Sequence, residues 1–356
     1  MPLSPTEEQV SLAEAVRDWG SDRANIAAAH HHEGKPENTR EAIAAAAELG
    51  LLGLLDPDEG GTQRDLGVVV EELGATGSDA PIGAAALALA TVQAVGLTGV
   101  DAAATAAADL VLLPAVAEPD GPPIIAEIDG DSITLSGVAG LVSGAAEADW
   151  FLVVAATAGG DPVLALVPAG DVSLTARVTL DISRAFGAVG VDGVQVGSGR
   201  WASGVAVVEP AALLLDALAA HAVADATGAA AELATRTYVY IQEREQFGQA
   251  IAKFQAVKHH AATMAMDVEA AQSIVADALN ALDGADPVER ARRVSVAGTF
   301  AGEACSRVAG TALQLHGGMG FTWEHDLHIL LRRIKTDEMI SGSPRWHRQR
   351  LVTLFD

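Results

Sequence analysis

The chain has 356 residues, of which 50% are apolar, and its 47 Asp and Glu against 22 Lys and Arg give a formal charge of -25. At roughly 100 to 200 residues per domain this is about two or three domains, enough chain to bury a core without disulfide or metal staples. Only Lys35, Lys253, Lys258 and Lys335 are lysines, so the clustered cations that nucleic acid or an anionic membrane requires are missing and neither is an expected partner.

Met1 to Glu8 lacks the basic and apolar regions of a secretory signal. Thr6, followed by Glu7 and Glu8, starts a helix whose apolar stripe continues through Ala15, Val16 and Trp19. The next helix runs from Thr39 to Leu49 and stops at Gly50. Asp56 to Gly61 reads as a loop because Pro57, Gly60 and Gly61 punctuate it. Further helices carry Val68 to Leu73 and the alanine-rich stretch after Pro81. Near Leu112 the texture changes to short strand-like runs (Ile124 to Ile128, Ser132 to Leu135, Trp150 to Ala155, Val163 to Val167, Gly204 to Val208), separated by Gly and Asp turns. These predict a β domain of antiparallel type. After Pro210 helical periodicity returns over Ala211 to Glu243, Phe254 to Leu282, Pro287 to Leu315 and Asp326 to Asp337, which predicts a bundle of long antiparallel helices. No apolar stretch runs uninterrupted for the roughly 20 residues of a membrane span. The single cysteine, Cys305, has no internal disulfide partner and reads as a small buried residue. A cytoplasmic α+β protein follows, with a helical domain over 1–111, a β domain over 112–208 and a helical bundle over 209–356.

Three segments carry chemistry. The first is Arg244, Glu245, Gln246, Phe247, Gly248 with Phe254 and Gln255; the second is Gln314, Leu315, His316, Gly317, Gly318, Met319, Gly320, Phe321. The third is Glu48, Leu49, Gly50, Leu51 followed by Pro57, Glu59, Gly60, Gly61. An Arg can pair a pyrophosphate bidentately, and a Gly-Gly backbone without side chains admits an anionic dinucleotide closely. Taken singly, Arg244 and Phe247 would be a solvated charge and a core aromatic, and Gly317-Gly318 a helix stop. Taken together they resemble the Arg-x-x-Phe-Gly, Gln-x-x-Gly-Gly-x-Gly-Phe and "ELGL…PEEGG" elements of the acyl-CoA dehydrogenase family, over essentially the whole chain. The resemblance implies that family's fold and FAD as cofactor. It also implies that Arg244, Phe247, Gln255, Gln314, Gly317 and Gly318 contact an FAD bound mainly by the neighbouring subunit. His30, His31 and His32 read as a solvated tract, His259 and His260 as helix residues without a functional role, and no metal site is expected.

The resemblance breaks where catalysis requires it. Family members use a Glu to remove the α proton of an acyl-CoA thioester while the β hydrogen leaves as hydride to the flavin. Registered on Arg332, that position holds Ser341. An alternative position in some members, counted back from Arg244 with Gly228 in register, holds Leu218, followed by Ala219. Glu338, three residues from Ser341, would sit several ångströms away along a helix, too far for positioned catalysis. The family's flavin-packing Trp-Ile-Thr aligns with Leu141, Val142 and Ser143, anchored on Ala148-Asp149. Only Ala117 to Gly121 remains of its "TEPGAGSD" loop.

No catalytic base is therefore expected in this chain. The resemblance implies a non-catalytic subunit of a heteromeric (α2β2) acyl-CoA dehydrogenase, partnered by a homologous catalytic chain and using an acyl-CoA substrate, with an electron-transfer flavoprotein as a further partner. The alanine-rich, lysine-poor composition suits the actinobacterial steroid-degrading members, which points to a sterol side-chain CoA thioester. Two alternatives stay open: a homomeric dehydrogenase with its base elsewhere, and a flavin-free scaffold or binding protein.

Overall fold

The structure, a computed structural model, describes residues 4–23, 25–32 and 39–355. The N-terminal part is helical: α1 (Glu7–Asp22), α2 (Asn25–His32), α3 (Thr39–Glu48), α4 (Gln63–Thr76), α5 (Ile82–Val95) and α6 (Ala102–Ala106). Capping boxes start α1 and α4. Thr6 accepts from the Gln9 N–H and Thr62 from the Asp65 N–H, while the Gln9 and Asp65 side chains return the bond to the cap backbone. Gly77 and Gly96, both at positive φ, close α4 and α5.

Ten strands follow: β1 (Leu112–Val116), β2 (Ile125–Asp129), β3 (Ser132–Ser136), β4 (Val138–Ser143), β5 (Trp150–Ala156), β6 (Pro162–Pro168), β7 (Ser173–Arg177), β8 (Phe186–Gly190), β9 (Val194–Val196) and β10 (Trp201–Ser203). The larger sheet runs β10-β6-β5-β2-β3-β9, with β1 also on β5; the smaller runs β4-β8-β7. The antiparallel expectation needs a correction. β1 runs parallel to β5 over five residue pairs, and β2 joins β5 in parallel at Ile125 and Ala156. Parallel neighbours need a long connection, and residues 117–149 supply it.

The C-terminal helices are α7 (Val205–Glu243), α8 (Gln255–Leu282), α9 (Pro287–His316), α10 (Leu327–Ile340) and α11 (Pro344–Phe355). The expected strand over Gly204 to Val208 is instead the start of α7. Gly204 breaks the chain at φ 81, and buried Val207, Ala211, Leu214 and Ala217 then repeat at helical spacing. Pro210 is tolerated near this end because its missing N–H forfeits one bond only. α7 is the one described helix long and apolar enough to cross a membrane by length and composition. Its apolar residues are used inside the bundle, where Leu214, Ala224 and Leu233 join a core with Leu66, Leu164, Leu279 and Leu330. α11 had a legible signal that periodicity missed: the Ser343 hydroxyl accepts from the Trp346 N–H, and Pro344 opens the helix.

Close approach of α4 to α7 depends on two glycines. A Cβ at Gly228 would fall on the Glu71 carbonyl, and one at Gly74 on that of Asp225. At this contact lies a buried charge cluster. Arg333 of α10 grips both carboxylate oxygens of Asp225 of α7, at 2.6 and 2.7 Å, and donates to the Ser78 carbonyl at 2.7 Å and the Ser183 hydroxyl at 3.0 Å. Arg184 binds Asp181 and Asp337, each at 2.6 Å. Burial pushes the Asp337 carboxyl well above the ordinary range, against the pull of Arg184. Burial also pushes at Asp225, but there Arg333 and Arg184 prevail and hold it below its ordinary value. With the proton on Asp337, two guanidiniums face two carboxylates and the cluster is neutral.

The linkage signs are opposite for the two acids. Asp225 contributes stability that is lost as pH falls through its depressed value. The folded state holds a proton on Asp337 that the unfolded chain releases near pH 4, so stability falls as pH rises towards the raised value, by up to about 1.4 kcal/mol per pH unit. Asp337→Asn should abolish this alkaline-side slope and leave the acid-side loss. Urea unfolding across about pH 4 to 9 measures it, and an unchanged slope would place the proton elsewhere.

Candidate functional site

The three parts of the chain meet around a cavity of about 680 Å³. β1, β4 and β5 supply one wall with Pro114, Leu141, Val142, Ser143 and Val154; α7 supplies Ala211, Leu215, Leu218 and Ala219; and the α10–α11 corner supplies Ile340, Ser341, Trp346 and Arg350. Both base positions read from the sequence, Ser341 and Leu218, thus converge on one cavity together with Leu141 and Ser143. Neither is titratable in the carboxylate sense. Glu338 lies outside the cavity lining; its carboxylate accepts from Ser306 at 2.8 Å and pairs with Lys335.

The polar groups of the cavity are few. Arg350 is held at 2.5 Å by the buried Asp216, which Arg290 also binds at 2.8 Å, and it stacks over Trp346. Glu118, on the loop after β1, has no ion pair among the described residues, and its carboxylate covers Gly140 so closely that a Cβ there would collide with it. Ser143 Oγ is shielded and lacks a hydrogen-bond partner among the described residues.

The six residues assigned to cofactor contact lie elsewhere, all exposed, at one end of the helical bundle. Arg244 ends α7, Gln255 opens α8, Gln314 is in the last turn of α9, and Gly317-Gly318 follow it. Tyr240 joins the α7 and α9 ends: its ring stacks on His316 with centroids 4.2 Å apart and its hydroxyl donates to the His316 carbonyl. Glu245-Gln246 and Gln249-Ala250 form a short hairpin with Phe247-Gly248 at its tip. Both tip residues have positive φ, 54 and 80, as a two-residue type I′ turn requires. Glycine accepts that geometry freely; a phenylalanine there is strained by about 1–3 kcal/mol. Yet Phe247 is 92% exposed, as Phe321 is 75% exposed. The Arg244 guanidinium has no ion pair among the described residues. A Cβ on Gly317 or Gly318 would meet nothing within 4 Å; the φ of 60 at the end of α9 accounts for Gly317, whereas nothing in this chain's packing accounts for Gly318.

The histidine tract needs a correction at His30. Rather than facing solvent, its ring lies on Asp326 at 2.7 Å and edge-on to Trp323 and His328, tying α2 to the segment after Gly317-Gly318. The side chains of His31 and His32 lie outside the described residues. His259 and His260 are exposed on α8. Cys305 is buried, and burial pushes its thiol up to about 12. Among the described residues no group of His, Cys, Asp or Glu is arranged to hold a metal.

Residues 6–119 match the acyl-CoA dehydrogenase N-terminal domain and residues 209–352 the acyl-CoA dehydrogenase C-terminal domain. The chain belongs to the acyl-CoA dehydrogenase family. It is 30% identical to acyl-CoA dehydrogenase FadE34 of Mycobacterium tuberculosis over 98% of this chain, but spans only 48% of that relative's length. Among solved structures, it superposes on the ChsE4-ChsE5 complex from Mycobacterium tuberculosis with a TM-score of 0.87 and 25% identity, covering 100% of this chain and 99% of that one. It superposes on the Tcur3481-Tcur3483 steroid ACAD with a TM-score of 0.86 and 26% identity, covering 98% of each chain.

Members of this family are flavoproteins. The residues of this chain suit FAD unevenly. Arg244 and the open Gly317-Gly318 backbone offer a cation and a cradle for a dinucleotide. The cavity suits a flavin poorly: its β4 wall presents aliphatic Leu141 at the position that aligns with the family's tryptophan, and Glu118, without an ion pair among the described residues, is negative. Sequence reasoning noticed Glu118 only as a loop remnant and missed Arg350 and Trp346, because α11 was not anticipated.

Ser341→Glu would restore a carboxylate at the cavity but neither an aromatic wall nor the missing loop. Acyl-CoA-dependent dye reduction by this variant should remain at the background level of the unaltered chain. Substantial turnover would show that the pocket was otherwise complete.

Proposed function

We propose that this chain is the non-catalytic subunit of a heteromeric acyl-CoA dehydrogenase, and that a homologous catalytic chain supplies the base and seats the flavin. The observation that carries the reading is the contrast between the two sites. Ser341, Leu218 and Leu141 leave the cavity without a base at either family position and without a flavin-stacking ring, whereas the Arg244, Gly317 and Gly318 end is intact. The strained Phe247 supports it: its ring meets Phe254 edge-on yet is 92% exposed, and burial against a partner would offset the cost of its positive φ. Bound to the partner, FAD supplies the hydride acceptor; this chain's part is to pair its pyrophosphate through Arg244 and to admit its backbone at Gly317-Gly318. Phe247, Gln255 and Gln314 complete the same surface.

The ChsE4-ChsE5 likeness supports an assembly of two related chains, for which α2β2 is the proposed form, and the steroid ACAD likeness supports a sterol side-chain CoA thioester as substrate. An electron-transfer flavoprotein would take the electrons onward. Glu118 gives a second reading, a homomeric enzyme with its base there, because among the described residues it is the only carboxylate in the cavity lining. It is exposed and comes from the strand wall, not from the helical wall that carries Ser341 and Leu218. Purifying the chain alone separates the readings: yellow, active protein whose turnover is lost in Glu118→Gln would establish the second.

Two measurements test the subunit assignment. Co-purified with its partner, the complex should carry about one FAD per pair of chains by absorbance; two per pair would sink the assignment. Arg244→Ala removes a charge-assisted contact worth roughly 1.5 to 3 kcal/mol, so FAD affinity of the deflavinated complex should fall at least about tenfold. Turnover at saturating FAD should change far less, because the base is on the other chain. Unchanged affinity in an intact complex would make Arg244 an ordinary surface charge.

A further inference from the structure

We infer that His316, His325 and His328 make the end of the bundle that carries Gly317-Gly318 responsive to pH: neutral, they dock residues 317–326 onto α2 and α7; doubly protonated, they release the segment. The docking stands on geometry alone, and only its consequence for FAD rests on the subunit reading above. Among the described residues, the backbone bonds of this segment run to itself and to the adjoining helix ends: the Gly317 N–H donates to the Gln314 carbonyl, the Thr322 N–H to that of Met319 and the His325 N–H to that of Thr322. Side chains anchor it to the other elements. His325 meets His316 edge-on with centroids 5.0 Å apart, and His316 stacks on Tyr240 of α7. Trp323 stacks on His328 at 4.8 Å, and His30 of α2 lies edge-on to both, at 5.9 and 5.2 Å. Asp326 holds His30 at 2.7 Å and Arg236 of α7 at 3.4 Å.

The hydrogen bonds decide which protonation state the docked arrangement accepts. A neutral imidazole has one N–H and one bare nitrogen, whereas an imidazolium has two N–H groups that each need an acceptor. His328 Nε2 lies 3.0 Å from the Trp323 carbonyl and so carries the hydrogen, while Nδ1 is shielded and has no partner among the described residues. A proton there would be buried without an acceptor. His325 Nδ1 accepts from the Leu327 N–H at 3.2 Å, and protonating it removes the acceptor for the first N–H of α10. His316 Nδ1 donates to the Ala312 carbonyl at 2.8 Å, and a charged His316 would face a charged His325. The surrounding charges do little to reverse this. Arg332, over Trp323, and His30 oppose a charge on His328. Asp326 favours it but is already shared by His30 and Arg236, and Arg236 also pairs with Glu232; Glu324 is exposed. Burial, the largest influence on both rings, holds His316 and His328 below the ordinary histidine value. The docked state therefore binds fewer protons than the released one. Docking is kept above about pH 6.5 and weakens as pH falls below it, by up to about tenfold per pH unit for each ring.

Trp323, stacked on His328, gives a readout that needs neither partner nor cofactor. Fluorescence of the full chain, less that of Trp323→Phe, should show a reversible step between about pH 7 and 5, with helix content by circular dichroism unchanged. The triple variant His316→Asn, His325→Asn, His328→Gln puts a neutral amide in place of each ring, with its donor or acceptor kept near the nitrogen it replaces, and should lose the step. His328→Gln alone, the ring against Trp323, should shrink the step by at least about half, which keeps the test alive if the triple variant does not fold. A flat profile, a step unchanged in these variants, or a parallel loss of helix overturns the proposal. In the deflavinated complex, FAD affinity should fall at least about tenfold from about pH 7.5 to 5.5, and less than about threefold in the variant; equal falls overturn the proposal as well. An emission step that the variants remove, together with FAD affinity indifferent to Arg244→Ala, sinks the subunit assignment and leaves the pH response standing.

Discussion

The grip of Arg333 on Asp225 is the contact on which the arrangement of this molecule depends. It joins α10 to α7, and through the Ser78 carbonyl and the Ser183 hydroxyl it fastens the N-terminal helices and the strand region to the same point. Taking a guanidinium fully out of water is costly, and a buried ion pair exchanged whole for apolar residues is often neutral in stability. Removing one partner is different, because the other is then left charged and unpaired at a cost of about 3–5 kcal/mol. The cluster therefore acts as a specifier of geometry. The four hydrogen bonds of Arg333 are met only when the three parts of the chain have one mutual placement, and a proton on Asp337 balances the charge.

That placement fixes both candidate sites. Ser341 caps α10 one turn beyond Asp337, so anchoring Asp337 sets where Ser341 meets the cavity. Asp225 and Leu218 are two turns apart on α7, and the same anchor sets the opposite helical residue of the lining. Gly74 and Gly228 allow this by letting the α4 and α7 backbones approach to contact. Farther along α7, Arg244 and the Phe247 hairpin emerge at the bundle's end, where Tyr240 packs on His316 and His30 ties α2 to the loop beyond Gly317-Gly318. One rigid helix thus passes from the cavity wall to the exposed cofactor-facing end.

The two sites differ in kind. The cavity is partly open and chemically sparse: aliphatic walls, a neutralised cation, the exposed Glu118 and a hydroxyl without a partner among the described residues. The bundle end is open and carries a strained, largely exposed phenylalanine, an arginine without an ion pair among the described residues, and Gly318, where a side chain would meet nothing within 4 Å. Features that a chain cannot account for by its own packing point outward, to a surface that another molecule completes. The proposed supporting-subunit role rests on this contrast between such an end and a cavity with Ser341 and Leu218 on its helical wall.

Much of this was legible in the sequence. Helix limits followed from local chemistry: Thr6 as a cap, Gly50 as a stop, Pro287 as an opening residue. The family came from the spacing of Arg244, Phe247, Gly317 and Gly318. What local chemistry left undecided was decided by the fold. The run Val205 to Val208 suits strand or helix equally, and burial of Val207 beside Ala211 and Leu214 chose helix. The parallel pairing of β1 with β5, the withdrawal of His30 from solvent and the charge cluster each join residues far apart in the chain. Caps, turns and motifs act over a few residues, so a single sequence displays them. Contacts such as Arg333 with Asp225 or Ser143 with its cavity exist only once hydrophobic burial has brought distant segments together, and no local pattern encodes which segments those are.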